Sequence, residues 1–122
     1  MPKKKILIVE DEEELNEAYA FVLDAEGYEV TTAFNGEEGL EAAELTKPDL
    51  ILLDLRMPVM DGLGFLREYK KLNQKSKIII FSNYDLQQEI DEAFKLGAGN
   101  YVLKAMTAPK ELVQMVKKTL EN

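Results

Sequence analysis

The chain contains neither cysteine nor histidine. Their absence removes disulfides, thiolate zinc sites and every catalytic triad that needs either side chain. Any bound metal must then be held by oxygen, which points to magnesium, calcium or manganese. Basic charge is also scarce: 15 Lys and Arg face 23 Asp and Glu, for a net charge of −8. Direct nucleic-acid binding needs a basic footprint that so acidic a chain does not offer. Long apolar runs are missing too. The opening Met1-Pro2-Lys3-Lys4-Lys5 leads into only about five apolar positions, too few for a signal peptide or a membrane span. The expectation is a cytoplasmic protein with no membrane attachment. No repeat, low-complexity tract or linker interrupts the sequence, so residues 1–122 are expected to form one domain. With 46% apolar residues, that domain can bury a sizeable core.

What is present is organised around Pro48-Asp49-Leu50-Ile51-Leu52-Leu53-Asp54-Leu55-Arg56-Met57-Pro58. Four consecutive large aliphatics with no polar alternation read as a strand buried on both faces, as in a parallel sheet. Pro58 biases Met57 toward extended geometry and delays the next helix. Asp54 therefore falls at the carboxyl end of a central strand, the edge where open α/β sheets bind ligands.

Four more strands follow from the same logic. Lys5–Val9 is a buried run that ends in the acidic stretch Glu10–Glu14. Tyr28–Ala33 is β-prone, Lys77–Phe81 ends at Ser82, and Asn100–Leu103 meets Lys104. Helices fill the gaps. Leu15, Ala18, Val22 and Ala25 define the inward face of the first, which Gly27 stops. Asn35 caps the second, with an acidic residue at its third position and Leu40 and Ala43 inside. Asp61-Gly62 opens a third with Phe65, Leu66 and Tyr69 inward, and Asp85 is expected to cap a fourth that buries Leu86, Ile90, Ala93 and Phe94. Pro109 starts a fifth with a stripe of Leu112, Val113, Val116 and Leu120. Strict alternation of strand and helix predicts a parallel sheet covered on both sides.

The polar residues at the strand ends form a complementary set: Glu10 and Asp11, Asp54, Ser82 and Lys104. Taken singly, each has a plain reading as a helix cap, a turn residue or a solvated charge. Together they would line one edge of the sheet. Three carboxylates brought together repel unless a cation joins them. Magnesium favours one or two carboxylates plus waters and phosphate oxygens. A lysine and a hydroxyl beside them suit a phosphoryl group arriving at Asp54, and carboxylates are established nucleophiles toward phosphorus.

At this point the sequence resembles the receiver domains of bacterial response regulators along essentially its whole length. The matching motifs are ILIVEDEEEL, PDLILLDLRMPVMDG, IIIFS and LGAGNYVLKA. The resemblance implies a flavodoxin-like, doubly wound α/β fold with five parallel strands in the order 2-1-3-4-5 and five helices. It implies that Asp54 accepts a phosphoryl group with Mg2+ bound. Asp11 and Asp54 would be metal ligands, joined by the Arg56 backbone carbonyl and by Glu10 through water. Ser82 and Lys104 would contact the phosphoryl group, and Ser82 and Tyr101 would form the switch. No external substrate would be turned over, so no residue is assigned a catalytic role in the enzymatic sense. The donor would be a histidine kinase or a phosphotransfer protein. The face made by the fourth helix, fifth strand and fifth helix would meet a downstream protein, a fused output domain or a second copy of the chain. Apolar candidates on that face are Tyr101, Met106 and Met115.

Three departures from the family pattern stand out. Ala105 replaces the proline that usually follows the lysine, often with a cis bond. A cis bond without proline costs roughly 2.5–4 kcal/mol, so a trans Lys104–Ala105 bond is expected. Asn83 stands where the family has a small residue, and is expected to contact the phosphoryl group or narrow access to Asp54. Arg56 and Tyr84 occupy positions that tune phosphoryl lifetime, and are expected to screen Asp54 from water. Two other functions remain open. One is a receiver that binds partners without phosphorylation. The other is a magnesium-dependent phosphatase of the haloacid-dehalogenase kind, but its second acidic residue would fall at Arg56, which does not titrate.

Overall fold

Leu50–Leu53 form the middle strand of five, and all four of its side chains are buried. In the computed structural model, which describes residues 2–83 and 85–121, the chain runs β1 (Lys5–Val9), α1 (Glu13–Ala25), β2 (Glu29–Ala33), α2 (Gly36–Thr46), β3 (Leu50–Leu53), α3 (Gly62–Tyr69), β4 (Lys77–Ser82), α4 (Gln87–Lys95), β5 (Asn100–Leu103) and α5 (Pro109–Glu121). The strands are all parallel and lie in the order β2-β1-β3-β4-β5. Tyr84 lies outside the described residues, as does the side chain of Met106.

Strand side chains alternate between two separate cores. Leu7, Val9, Ile51, Leu53, Ile78 and Ile80 pack with Ala43 of α2, Phe65, Leu66 and Tyr69 of α3, and Ala93 of α4. Ile6, Ile8, Leu50, Leu52, Ile79 and Phe81 face the other way, onto Tyr19 and Leu23 of α1 and Leu112, Val113 and Val116 of α5. Because both faces are covered, neither set of positions is polar, which is why the strands read as continuous apolar runs. Tyr19 meets Phe81 edge to face, with ring centroids 5.0 Å apart.

Local chemistry sets the helix starts at α2 and α3. Asn35 Oδ1 accepts the Glu38 N–H at 2.9 Å, and Glu38 returns a carboxylate to the Phe34 N–H at 3.1 Å. Asp61 Oδ1 accepts the Gly64 N–H at 2.8 Å. Gly62 lets α3 begin against the end of β3: its N–H donates to the Leu55 carbonyl at 2.9 Å. A Cβ there would meet the Asp54 carbonyl oxygen at 2.4 Å and Leu55 Cα at 2.7 Å.

Two helix faces differ from the sequence expectation. On α1 the buried residues are Asn16, Tyr19 and Leu23, while Ala18 and Ala25 are exposed and Leu15 and Val22 are half-buried. The helix turns its polar Asn16 inward because that side chain finds partners at the sheet edge. On α4, Leu86 rather than Asp85 precedes the first helical residue, with no side-chain cap. Leu86 and Phe94 remain 54% and 45% exposed, and only Ala93 of the expected stripe is fully covered.

Candidate functional site

The hydrogen-bond ladder continues one rung past the strands and places the site residues. Glu10 N–H donates to the Ala33 carbonyl at 3.0 Å, and Asp54 N–H donates to the Val9 carbonyl at 2.9 Å. Alternation carries Glu10 and Asp54 on from Ile8 and Leu52, toward the α1 and α5 layer. Lys104 continues from Val102 on the same side. Ser82 continues from Ile80, and Tyr101, the neighbour of Ile80 on β5, lies in the same α3 and α4 layer.

The side chains meet accordingly. Lys104 Nζ pairs with Glu10 Oε1 and lies 3.3 Å from Asp54 Oδ2. All three side chains are buried, at 7%, 3% and 6% exposure. Glu10 Oε2 also accepts the Glu12 N–H at 3.0 Å. Asp54 Oδ1 receives a long contact from the Arg56 N–H at 3.4 Å. Asp11 is exposed, yet carboxylate oxygens of Glu10, Asp11 and Asp54 all lie within 4.8 Å of one another. Such an all-oxygen set suits a hard divalent cation, and three carboxylates beside one ammonium leave negative charge for it to balance.

Burial pushes the Glu10 carboxyl up to about 7, against the bonds from Lys104 and the Glu12 N–H. Burial also raises Asp54, opposed by the charge of Lys104. Burial alone would lower the Lys104 ammonium, but its hydrogen bond to Glu10 and the charge of Asp54 outweigh it and leave it raised. On the other side of the sheet, Ser82 is fully buried and Tyr101 is half-buried. The two side chains share a hydrogen bond, which opposes the upward push of burial on the phenol.

The structure thus brings Glu10, Asp11, Asp54 and Lys104 together, with Ser82 and Tyr101 paired at the same sheet edge. Asn83 follows β4 and is exposed. The Arg56 guanidinium turns to Glu89 on α4, at 2.8 Å. The Lys104–Ala105 bond is trans, as expected; no cis peptide bond occurs among the described residues. Residues Lys104–Met106 form a 3₁₀ turn, held by Thr107 Oγ1 donating to the Leu103 carbonyl at 3.1 Å. Met115 is half-buried.

One residue escaped the sequence reading. Asn16 is fully buried, and its Nδ2 donates to the carbonyls of Glu10 and Ala33 at 2.9 and 3.0 Å. The available signal was a polar residue one turn into α1, two positions after the acidic run ends at Glu14.

Comparison with known proteins agrees with this geometry. The family model described as response regulator receiver domain matches residues 6–117. The chain is 36% identical to the alkaline phosphatase synthesis transcriptional regulatory protein PhoP of Bacillus subtilis, over 96% of this chain and 48% of that protein. It is 33% identical to the chemotaxis protein CheY of Thermotoga maritima, covering 94% of this chain and 96% of the relative. Sporulation initiation phosphotransferase F of Bacillus subtilis is 34% identical, over 98% of this chain and 96% of its own. The chain therefore spans about half the length of the transcriptional regulators it matches and nearly all of the shorter relatives. The crystal structure of a CheY-like response regulator receiver domain protein from Methanospirillum hungatei superimposes with a TM-score of 0.93 at 31% identity, covering 98% of this chain and 95% of the other. Motifs, strand order and the clustered strand-end residues lead to one family: this chain belongs to the response regulator receiver domains of two-component systems.

Proposed function

We propose that residues 1–122 act as a phosphorylation switch whose acceptor is Asp54. The observation that carries this reading is the convergence of three carboxylates within 4.8 Å with Lys104 bound to two of them. The donor is a phosphohistidine on a histidine kinase or a phosphotransfer protein. An Asp54 oxygen bonds to phosphorus, the phosphorus–nitrogen bond breaks, and the imidazole leaves with the electron pair and takes up a proton. Glu10, Asp11, Asp54 and the Arg56 carbonyl would hold Mg2+, Glu10 through water; when bound, it supplies positive charge to offset the carboxylates and the phosphoryl oxygens. Lys104, already at Asp54, pairs with the new phosphoryl group. Ser82 donates its hydroxyl to a phosphoryl oxygen and gives up its bond to Tyr101. Asn83, exposed at the end of β4, flanks the approach to Asp54.

The added charge and acceptor oxygens are thereby felt at Tyr101, on the α4–β5–α5 face. That face meets the downstream protein, an output domain or a second copy. The chain accepts and slowly loses the group on its own aspartate, without turning over an external substrate. This role places it in the cytoplasm. No helix among the described residues is long and apolar enough to cross a membrane.

Intact mass after incubation with acetyl phosphate tests the reading, with and without magnesium, on the native chain and on Asp54→Asn. The expected result is a single magnesium-dependent phosphoryl addition that the variant loses. No addition to a folded native chain would overturn it in favour of a receiver that binds partners without phosphorylation.

A further inference from the structure

We infer that Asn16 is a positioning residue for the acidic cluster: its side-chain amide fixes the backbone of Glu10, and through it the directions of the Glu10 and Asp11 carboxylates. This rests on the proposed role of that cluster in holding a divalent cation. The last rung of the β1–β2 ladder is Glu10 N–H to the Ala33 carbonyl, at 3.0 Å. Asn16 Nδ2 reaches the same carbonyl at 3.0 Å and the Glu10 carbonyl at 2.9 Å. One amide thus ties α1 to both strand ends just where the strands stop. The Asn16 backbone N–H meanwhile donates to the Glu12 carbonyl at 2.9 Å, closing the first turn of the helix. The loop that carries Glu10 and Asp11 is pinned by the same residue at both of its ends.

A purely structural bond does not explain the choice of asparagine. Asn16 Oδ1 is buried and has no hydrogen-bond partner among the described residues. Leaving a buried acceptor unpaired offsets much of what two ordinary hydrogen bonds contribute. Leucine has a similar size and would suit a face shared with Tyr19 and Leu23. What leucine cannot do is hold the Glu10 carbonyl. With that hold lost, the Glu10 carboxylate would no longer be set to meet both Lys104 and the Glu12 N–H.

The test compares Asn16→Leu with Leu23→Ala, a variant on the same buried face that leaves Glu10 untouched. Both should lower the unfolding midpoint. Two further readouts are taken well below it: amide hydrogen exchange at Glu12, whose N–H reports the Glu10 carboxylate, and the Mg2+ dissociation constant from amide shifts. Only Asn16→Leu should speed exchange at Glu12 and weaken Mg2+ binding, the latter about tenfold, as for other residues that orient metal ligands. Asn16→Ser, too short to span both carbonyls, serves if Asn16→Leu does not fold. Equal effects of the Asn16 and Leu23 variants would overturn the inference and leave Asn16 a structural residue. If the native chain binds no Mg2+, the cation reading of the cluster falls. The exchange comparison in metal-free protein then decides the positioning role by itself.

Discussion

The guanidinium of Arg56, two residues beyond Asp54, pairs with the Glu89 carboxylate on α4 at 2.8 Å. The pair is partly exposed and contributes at most about 1 kcal/mol to stability. Its weight is positional, because it joins the loop after β3 to the helix that borders Tyr101. A phosphoryl group on Asp54 would compete with Glu89 for the guanidinium through charge-assisted bonds. Glu89→Gln should therefore lengthen the life of the phosphorylated form several-fold, and Arg56→Ala should shorten it. Decay of the added mass after the donor is removed measures both. Decays equal to that of the native chain would leave the pair without a part in phosphoryl lifetime.

Glu10 makes the metal-free protein sensitive to pH. Its carboxyl titrates near 4.5 when unfolded and near 7 when folded. Between those values the folded chain holds more protons, so stability falls as the pH rises through the window and then levels off. Glu10→Gln should remove a loss on the order of 1–3 kcal/mol between about pH 5 and about pH 7.5. Asp54, raised by burial in the same direction, leaves a slope of the same sign. Chemical denaturation at a series of pH values reads the difference. An unchanged slope in the variant would show that Glu10 ionises normally in the fold.

Gly62 is expected to tolerate no side chain. Its added Cβ would press on the backbone of Asp54 and Leu55, which cannot rotate away as a side chain would. Gly62→Ala should cost about 2 kcal/mol or more, and should shift the amide signals of Asp54 through Arg56. Thermal unfolding and amide spectra check the two effects together.

Val59 occupies the left-handed region at φ +69, and its side chain is 76% exposed. A β-branched residue is strained there and recovers little by burial. Val59→Asn should stabilise the protein by about 0.5–1 kcal/mol. A lower midpoint of unfolding would mean that Val59 makes a contact worth more than its strain.

Much of this fold was legible because buried parallel strands leave an unmistakable mark. Lys5–Val9, Leu50–Leu53 and Lys77–Phe81 could be read from aliphatic runs that stop at polar residues. The strand order could not, since periodicity says which residues are buried and not which strand lies beside which; it came from the family resemblance. The inward face of α1 was misread for a related reason. Leu15, Ala18, Val22 and Ala25 are apolar, but the face that binds the sheet holds Asn16 and Tyr19, and the side-chain N–H group of Asn16 finds its carbonyl partners only in three dimensions. On α4, apolar spacing marked Leu86 and Phe94 without revealing that both stay largely open to solvent. At the site, the strand ends announced Glu10, Asp54, Ser82 and Lys104. That Lys104 would choose Glu10 and Asp54 while Ser82 chose Tyr101 depends on which side of the pleat each residue inherits.

That inheritance makes the sheet an insulator between two compartments of the molecule. The core under α1 and α5 and the core under α2, α3 and α4 are separate clusters of side chains. Between them lies only the hydrogen-bonded backbone of the strands they share. The rim is different: Glu10 and Lys104 come up from one compartment, Ser82 and Tyr101 from the other. Under the proposed switch, a phosphoryl group placed at Asp54 would be felt in both at once. A molecule gripping the outer surface of α1 and another gripping α4 could then be held together on one chain, each sensing the same event without crowding the other.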